Sequence, residues 1–87
     1  MLKIQRSSNG QLVLVLSGQI EEQHITELEA QMGVGTNRSS VVLDLKEVTL
    51  VSREAIAFLE RCEASGVTLK NCPAYVREWV IRERRGG

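Results

Sequence analysis

Eighty-seven residues make one domain, close to the lower size at which a chain closes a core unaided. Eleven basic residues balance eleven acidic ones, which removes the basic excess by which nucleic-acid binders hold phosphates. A chain this short has little room for a ligand cavity of roughly a few hundred Å³, so a single domain over residues 1–87 that works through its surface is expected.

Leu2 and Ile4 alternate with Lys3 and Gln5, the period of a half-exposed strand. Ser7-Ser8-Asn9-Gly10 follows as a turn, Asn-Gly being suited to a tight hairpin. Gln11 to Leu16 is apolar without alternation, which predicts a central strand covered on both faces and ended by Ser17-Gly18. From Glu21 to Met32 the period turns helical. Ile25, Leu28 and Met32 form one stripe, Glu21 and Glu22 suit the positive helix start, and Gly33 is the stop. Gly35 to Ser40 reads as a loop.

Val41 to Leu45 is a second buried strand, and Lys46 to Val51 lead away from it, the last four residues extended. Ser52 is placed to cap a helix that carries Ala55, Phe58, Leu59 and Cys62 on one stripe and stops at Ser65-Gly66. Val67-Thr68-Leu69 is a third short internal strand. Pro73 opens a last helix at the position where its missing N–H costs nothing, with Val76, Trp79 and Val80 as the apolar side. The fold class is therefore α/β, a mixed sheet of about four strands with three helices in the order β-β-α-β-α-β-α.

Several residues invite chemistry and have plainer roles. Cys62 and Cys72, ten positions apart, match no zinc or redox spacing and read as small buried apolar residues. His24, the single histidine, sits at the edge of an apolar stripe, and Glu21, Glu22 and Glu27 lie on a solvated helix face with nothing to desolvate them. Asp44, near a strand end that in open α/β sheets borders ligand crevices, reads as a cap for the following loop. The run Arg82, Arg84 and Arg85 fits a solvated helix C-terminus. No phosphate-cradling glycine motif is present, so a nucleotide site has no support. Met1 to Gln5 carries no apolar leader and no apolar run approaches ~20 residues, so a cytoplasmic protein with reduced thiols is expected.

The element order, together with Val41-Val42-Leu43-Asp44-Leu45, then Val48-Thr49-Leu50-Val51, then Ser52-Arg53-Glu54-Ala55-Ile56, resembles the STAS domain of anti-sigma-factor antagonists. Gly18-Gln19-Ile20-Glu21 stands where that family often has Gly, any residue, an apolar residue and Asp, and the ending from Asn71 to Trp79 is similar as well. The family opens its second helix with Asp-Ser-Ser/Thr-Gly-Leu. A partner kinase phosphorylates the helix-start hydroxyl, and the added charge releases the anti-sigma factor. Here Ser52 stands for the Asp, Arg53 for the first Ser, Glu54 for the phosphorylated residue and Ala55 for the Gly. Every polar member of the signature has changed.

Glu54 therefore occupies a degenerate phosphosite, on a helix turn whose free N–H groups favour anions. It is read either as a simple helix stabiliser or as a standing imitation of the phosphorylated state; Ser52 is the alternative phosphoacceptor, or plainly the N-cap. The resemblance implies a non-enzymatic interaction module, needing no cofactor or metal. It would dock on an anti-sigma factor or related histidine-kinase-like regulator through Ser52, Arg53, Glu54 and Phe58, without the usual switch. A second expectation, from a different class, is a self-associating assembly domain, a homodimer formed along the edge strand Leu2 to Arg6.

Overall fold

A computed structural model describes residues 2–8, 10–32 and 40–86. The elements are β1 (Leu2–Ser8), β2 (Leu12–Ile20), α1 (Glu22–Met32), β3 (Val41–Val51), α2 (Arg53–Ala64), β4 (Thr68–Lys70) and α3 (Ala74–Gly86), in the expected β-β-α-β-α-β-α order. Asn9 of the expected turn, the stop at Gly33 and the loop from Gly35 to Ser39 lie outside the described residues.

The sheet runs β1-β2-β3-β4. β1 and β2 pair antiparallel, whereas β2–β3 and β3–β4 are parallel, each parallel step bridged by a helix as crossover geometry requires. β1 is an edge, as the sequence suggests; β4, expected inside the sheet, is the other edge.

Register and burial show that the helices cover one face only. Leu14 and Leu16 of β2, Leu43 and Leu45 of β3 and Leu69 of β4 are buried on that face, with Ile4 opposite Leu16 packed against the same cluster. On the other face Val13 and Val15 are only half-buried beside exposed Lys3 and Gln5. The unbroken apolar run of β2 predicts cover on both sides; flanking strands supply part of that shielding instead, and Val42, with a neighbour on each side, is nearly enclosed without a helix above it.

β2 also runs past its expected end. Gly18 has φ +94°, a conformation that costs a side-chain-bearing residue but not glycine, so the chain passes through Ser17-Gly18 and pairs on to Ile20. β3 fits this partner by carrying one extra residue between the Ser17 and Val15 pairings and another between those of Gly18 and Gln19. These bulges change which residues face inward: Val41, Leu43 and Leu45 are followed by Val48, not Glu47. Asp44 braces the first irregularity, accepting from the Lys46 N–H at 3.0 Å and from Asn71 Nδ2 at 3.3 Å. It lies in mid-strand, with no loop following it to cap as expected, and instead ties β3 to the turn after β4.

α2 is the central helix, touching α1, α3 and β4. It buries Ala55, Ile56, Phe58, Leu59 and Cys62. Its end is a complete Schellman motif: Gly66 at φ +110° donates to the Glu63 carbonyl at 3.1 Å, and Val67 donates to the Cys62 carbonyl at 3.0 Å. α1 starts with a local clasp, the Glu21 N–H donating to His24 Nδ1 at 3.0 Å, which gives the lone histidine a capping role. α3 begins one residue later than expected. Pro73 is its cap, its carbonyl accepting from the Arg77 N–H at 2.9 Å.

Charge locks α3 to α2. Arg77 Nη1 reaches Glu63 Oε2 at 2.8 Å, Arg84 Nη2 reaches Glu63 Oε1 at 2.6 Å, and Arg84 Nε lies 3.6 Å from Glu60. Partial burial pushes the Glu63 carboxyl up, but hydrogen bonds from Arg77 and Arg84 outweigh it and hold it below the ordinary value. Burial pushes the neighbouring Cys72 thiol up, away from the reactive thiolate.

Two outcomes test this construction. Gly18→Ala places a Cβ in the left-handed region and is expected to cost roughly 1–2 kcal/mol, read as a lowered urea midpoint. A depressed carboxylate pKa stabilises the fold above the unfolded value and loses that contribution as pH falls through the folded one. Glu63→Gln is therefore expected to melt below wild type at neutral pH, with the gap closing below about pH 4.5, the ordinary glutamate value. Thermal melts across that range measure it, and a constant gap counts against the clamp.

Candidate docking surface

The start of α2 is held from three directions. The Ser52 N–H donates to the Ile20 carbonyl at 2.9 Å, its own carbonyl accepts from Ile56 N–H at 2.9 Å, and its hydroxyl accepts from Ala55 N–H at 3.2 Å. Ser52 has φ −72° and ψ 165°, the extended geometry of an N-cap. The Ile20 bond matters most for position, since it fastens the helix start to the last residue of β2.

Arg53 and Glu54 occupy the first two helical positions, and both are exposed. Among the described residues neither is engaged in an ion pair or a side-chain hydrogen bond. Glu54 lies in the first turn, where the helix dipole favours a carboxylate by about 0.3–1 kcal/mol.

The two side chains serve different flanks. Glu54 borders a hollow of about 410 Å³ between α1 and α2, shared with Glu22, Ile25 and Arg61. Arg53 borders a larger groove of about 730 Å³ toward α3, with Leu50, Ile56, Tyr75 and Trp79. Ser52, Arg53 and Glu54 are thus brought together at one helix start, but a partner reading both charges has to straddle it.

Phe58 does not belong with them. It is 3% exposed and sits in the core cluster, because it falls one turn after Ala55 on the stripe that faces the sheet. Its expected place in the contact surface is corrected accordingly. Trp79 moves the opposite way. Expected on the apolar side of α3 with Val76 and Val80, it is 52% exposed while those two are fully buried.

That exchange has a geometric cause. α3 presents three stripes: Val76 and Val80 to the core, Arg77 and Arg84 to the acidic side of α2, and Tyr75, Trp79 and Arg82 to the groove. Once the first two are satisfied, the third is turned out. The spacing Tyr75, Trp79, Arg82 was the signal available for it. Leu50, 51% exposed, offered none, because its outward direction follows from the second bulge of β3.

No three His, Cys, Asp or Glu residues are grouped to hold a metal ion among the described residues, and no helix there is long and apolar enough to cross a membrane. A scan against protein-family models and a search of curated proteins both find no match for the chain.

Ser52→Ala removes the hydroxyl that satisfies the Ala55 N–H and is expected to cost about 1 kcal/mol, measured by urea unfolding. Ser52→Asp, which keeps an acceptor there, is expected to recover most of it. A neutral Ser52→Ala overturns the capping role.

Proposed function

We propose that this chain is a non-enzymatic, cytoplasmic protein-interaction module of the STAS type, resembling an anti-sigma-factor antagonist. Its partner would be an anti-sigma factor or a related histidine-kinase-like regulator. The observation that carries the proposal is the start of α2. It is rigidly capped and pinned to β2, and it displays Arg53 and Glu54 with no partner among the described residues. A helix start fixed in this way presents charge from a backbone that needs little ordering on association.

The proposal includes the loss of the usual switch. At the position where the resemblance puts the phosphorylated hydroxyl, Glu54 supplies about one negative charge, against −1.5 to −2 for a phosphate. The nearby Ser52 is half-buried, and its hydroxyl accepts from the Ala55 N–H as the helix cap. Glu54 then acts as a permanent contact, and binding is set by how much partner is present.

Pairing between copies along β1 is the competing reading. The edge is seven residues long, but Lys3 and Arg6 on it are exposed charges of the kind that discourage strand addition.

The test begins with a protein retained by the wild-type chain from its native cells, identified and then purified. Arg53→Glu combined with Glu54→Lys is expected to weaken its binding about tenfold or more by calorimetry, with the urea midpoint little changed. Undiminished affinity places the contact elsewhere, and a concentration-dependent dimer in light scattering favours self-pairing.

A further inference from the structure

Three of the four large apolar side chains left exposed on the described surface converge on one feature. Leu50 is 51% exposed, Tyr75 44% and Trp79 52%, and all three line the groove between the end of β3, the start of α2 and α3. Val51 and Ile56 extend its apolar wall. Large exposed apolar groups gathered in one concavity mark an interaction site more often than a random surface, and Trp, Tyr and Arg are the residues that dominate binding energy in protein interfaces.

The groove is also polarised. Arg53 and Arg82 line it, against the single carboxylate of Glu83. Arg53 has no ion-pair partner among the described residues. Arg82 lies with Cζ 5.6 Å from the centroid of the Trp79 ring, and its bridge to Glu78 is a solvent-exposed pair of small worth. The nearby cations Arg77 and Arg84, by contrast, are consumed by Glu63 and Glu60.

A small molecule is a poor fit. Such sites cover most of their ligand, whereas the apolar walls here are themselves about half exposed. A polypeptide segment that lays a large apolar side chain against Trp79 and brings its own surface to close the groove is the better match.

We infer that the Leu50–Tyr75–Trp79 groove is a docking site for a partner segment that presents a large apolar side chain flanked by carboxylates, the apolar group covering Trp79 and the carboxylates meeting Arg53 and Arg82. The inference rests on the interaction-module reading and deepens it, naming the chemistry of the partner on the Arg53 flank.

Trp79 is the only tryptophan in the chain, so its emission reports on the groove directly. Random dodecapeptides displayed on phage are selected on the immobilised full chain, and the enriched ones are synthesised and titrated while tryptophan emission is followed; peptides that themselves contain Trp are followed by calorimetry. Enriched sequences are expected to combine a large apolar residue with neighbouring Asp or Glu and to shift Trp79 emission to shorter wavelength. Trp79→Ala and Leu50→Ser, both at exposed positions and so compatible with folding, are each expected to weaken binding about tenfold or more. Arg53→Glu with Arg82→Glu is expected to turn the preference toward basic peptides.

Enriched peptides without an acidic bias, or acidic–apolar ones that leave the emission unchanged and tolerate Leu50→Ser, overturn the inference. So does a dimer that shields Trp79 in the absence of peptide, which makes a second copy the occupant. The two proposals fail separately. A purified native partner that ignores Trp79→Ala and Leu50→Ser but is lost on Glu54→Lys retains the docking module and removes the groove. Peptides held in the groove, with a native partner indifferent to both Arg53 and Glu54, do the reverse.

Discussion

The parallel pairing of β2 with β3, carried to its last residue pair, is the constraint on which the rest of the molecule depends. Ile20 pairs with Val51, and its carbonyl receives the Ser52 N–H at 2.9 Å. That single bond joins the end of one strand to the start of the central helix. It exists only because Gly18 lets β2 continue and because β3 carries two extra residues to keep step. Shortening β2 at Ser17-Gly18 would leave the helix start tethered by β3 alone, and the relation between α2 and the sheet would loosen.

From this anchor the helical layer is assembled by two kinds of force. Burial of Ala55, Phe58, Leu59 and Cys62 sets α2 on the sheet without naming a partner for its far side. Burial of Val76 and Val80 and the Glu63 carboxylate, shared by Arg77 and Arg84, then choose the rotation of α3 together. Each partially exposed pair is worth little singly, but two arginines two turns apart on one carboxylate act in the same direction as that burial. Tyr75, Trp79 and Arg82 are exposed as a consequence of that choice.

The surface proposed to bind a partner inherits both decisions. Arg53 and Glu54 are adjacent in sequence and part company in space, one facing the groove beside α3 and the other the hollow beside α1. A partner that engages the helix start meets an apolar, cationic flank on one side and an acidic one on the other. Such an asymmetric surface fixes orientation as well as affinity. Under the proposed function, Glu54 serves as a contact without having to imitate a phosphate.

Much of this was legible in the residues. Apolar periodicity located the described strands and helices, Ser52 and Ser65-Gly66 marked the limits of α2, and a half-exposed first strand followed from the alternation in Leu2 to Gln5, because local backbone chemistry and side-chain spacing act over a few residues. The rest was not legible, the edge position of β4 included. The end of β2 was misplaced because Ser17-Gly18 is both a stop signal and a bulge, and only a partner strand distinguishes them. The unbroken apolar run of β2 predicts a second covered face that is absent, because flanking strands supply part of that shielding and leave Val13 and Val15 half-buried. Phe58 and Trp79 exchanged places because helical spacing defines stripes, while which stripe is buried depends on the neighbour it meets. The sequence by itself thus determined the elements, their order and the cap at Ser52. The tertiary structure decided which side chains face solvent, since that depends on contacts between residues far apart in the chain.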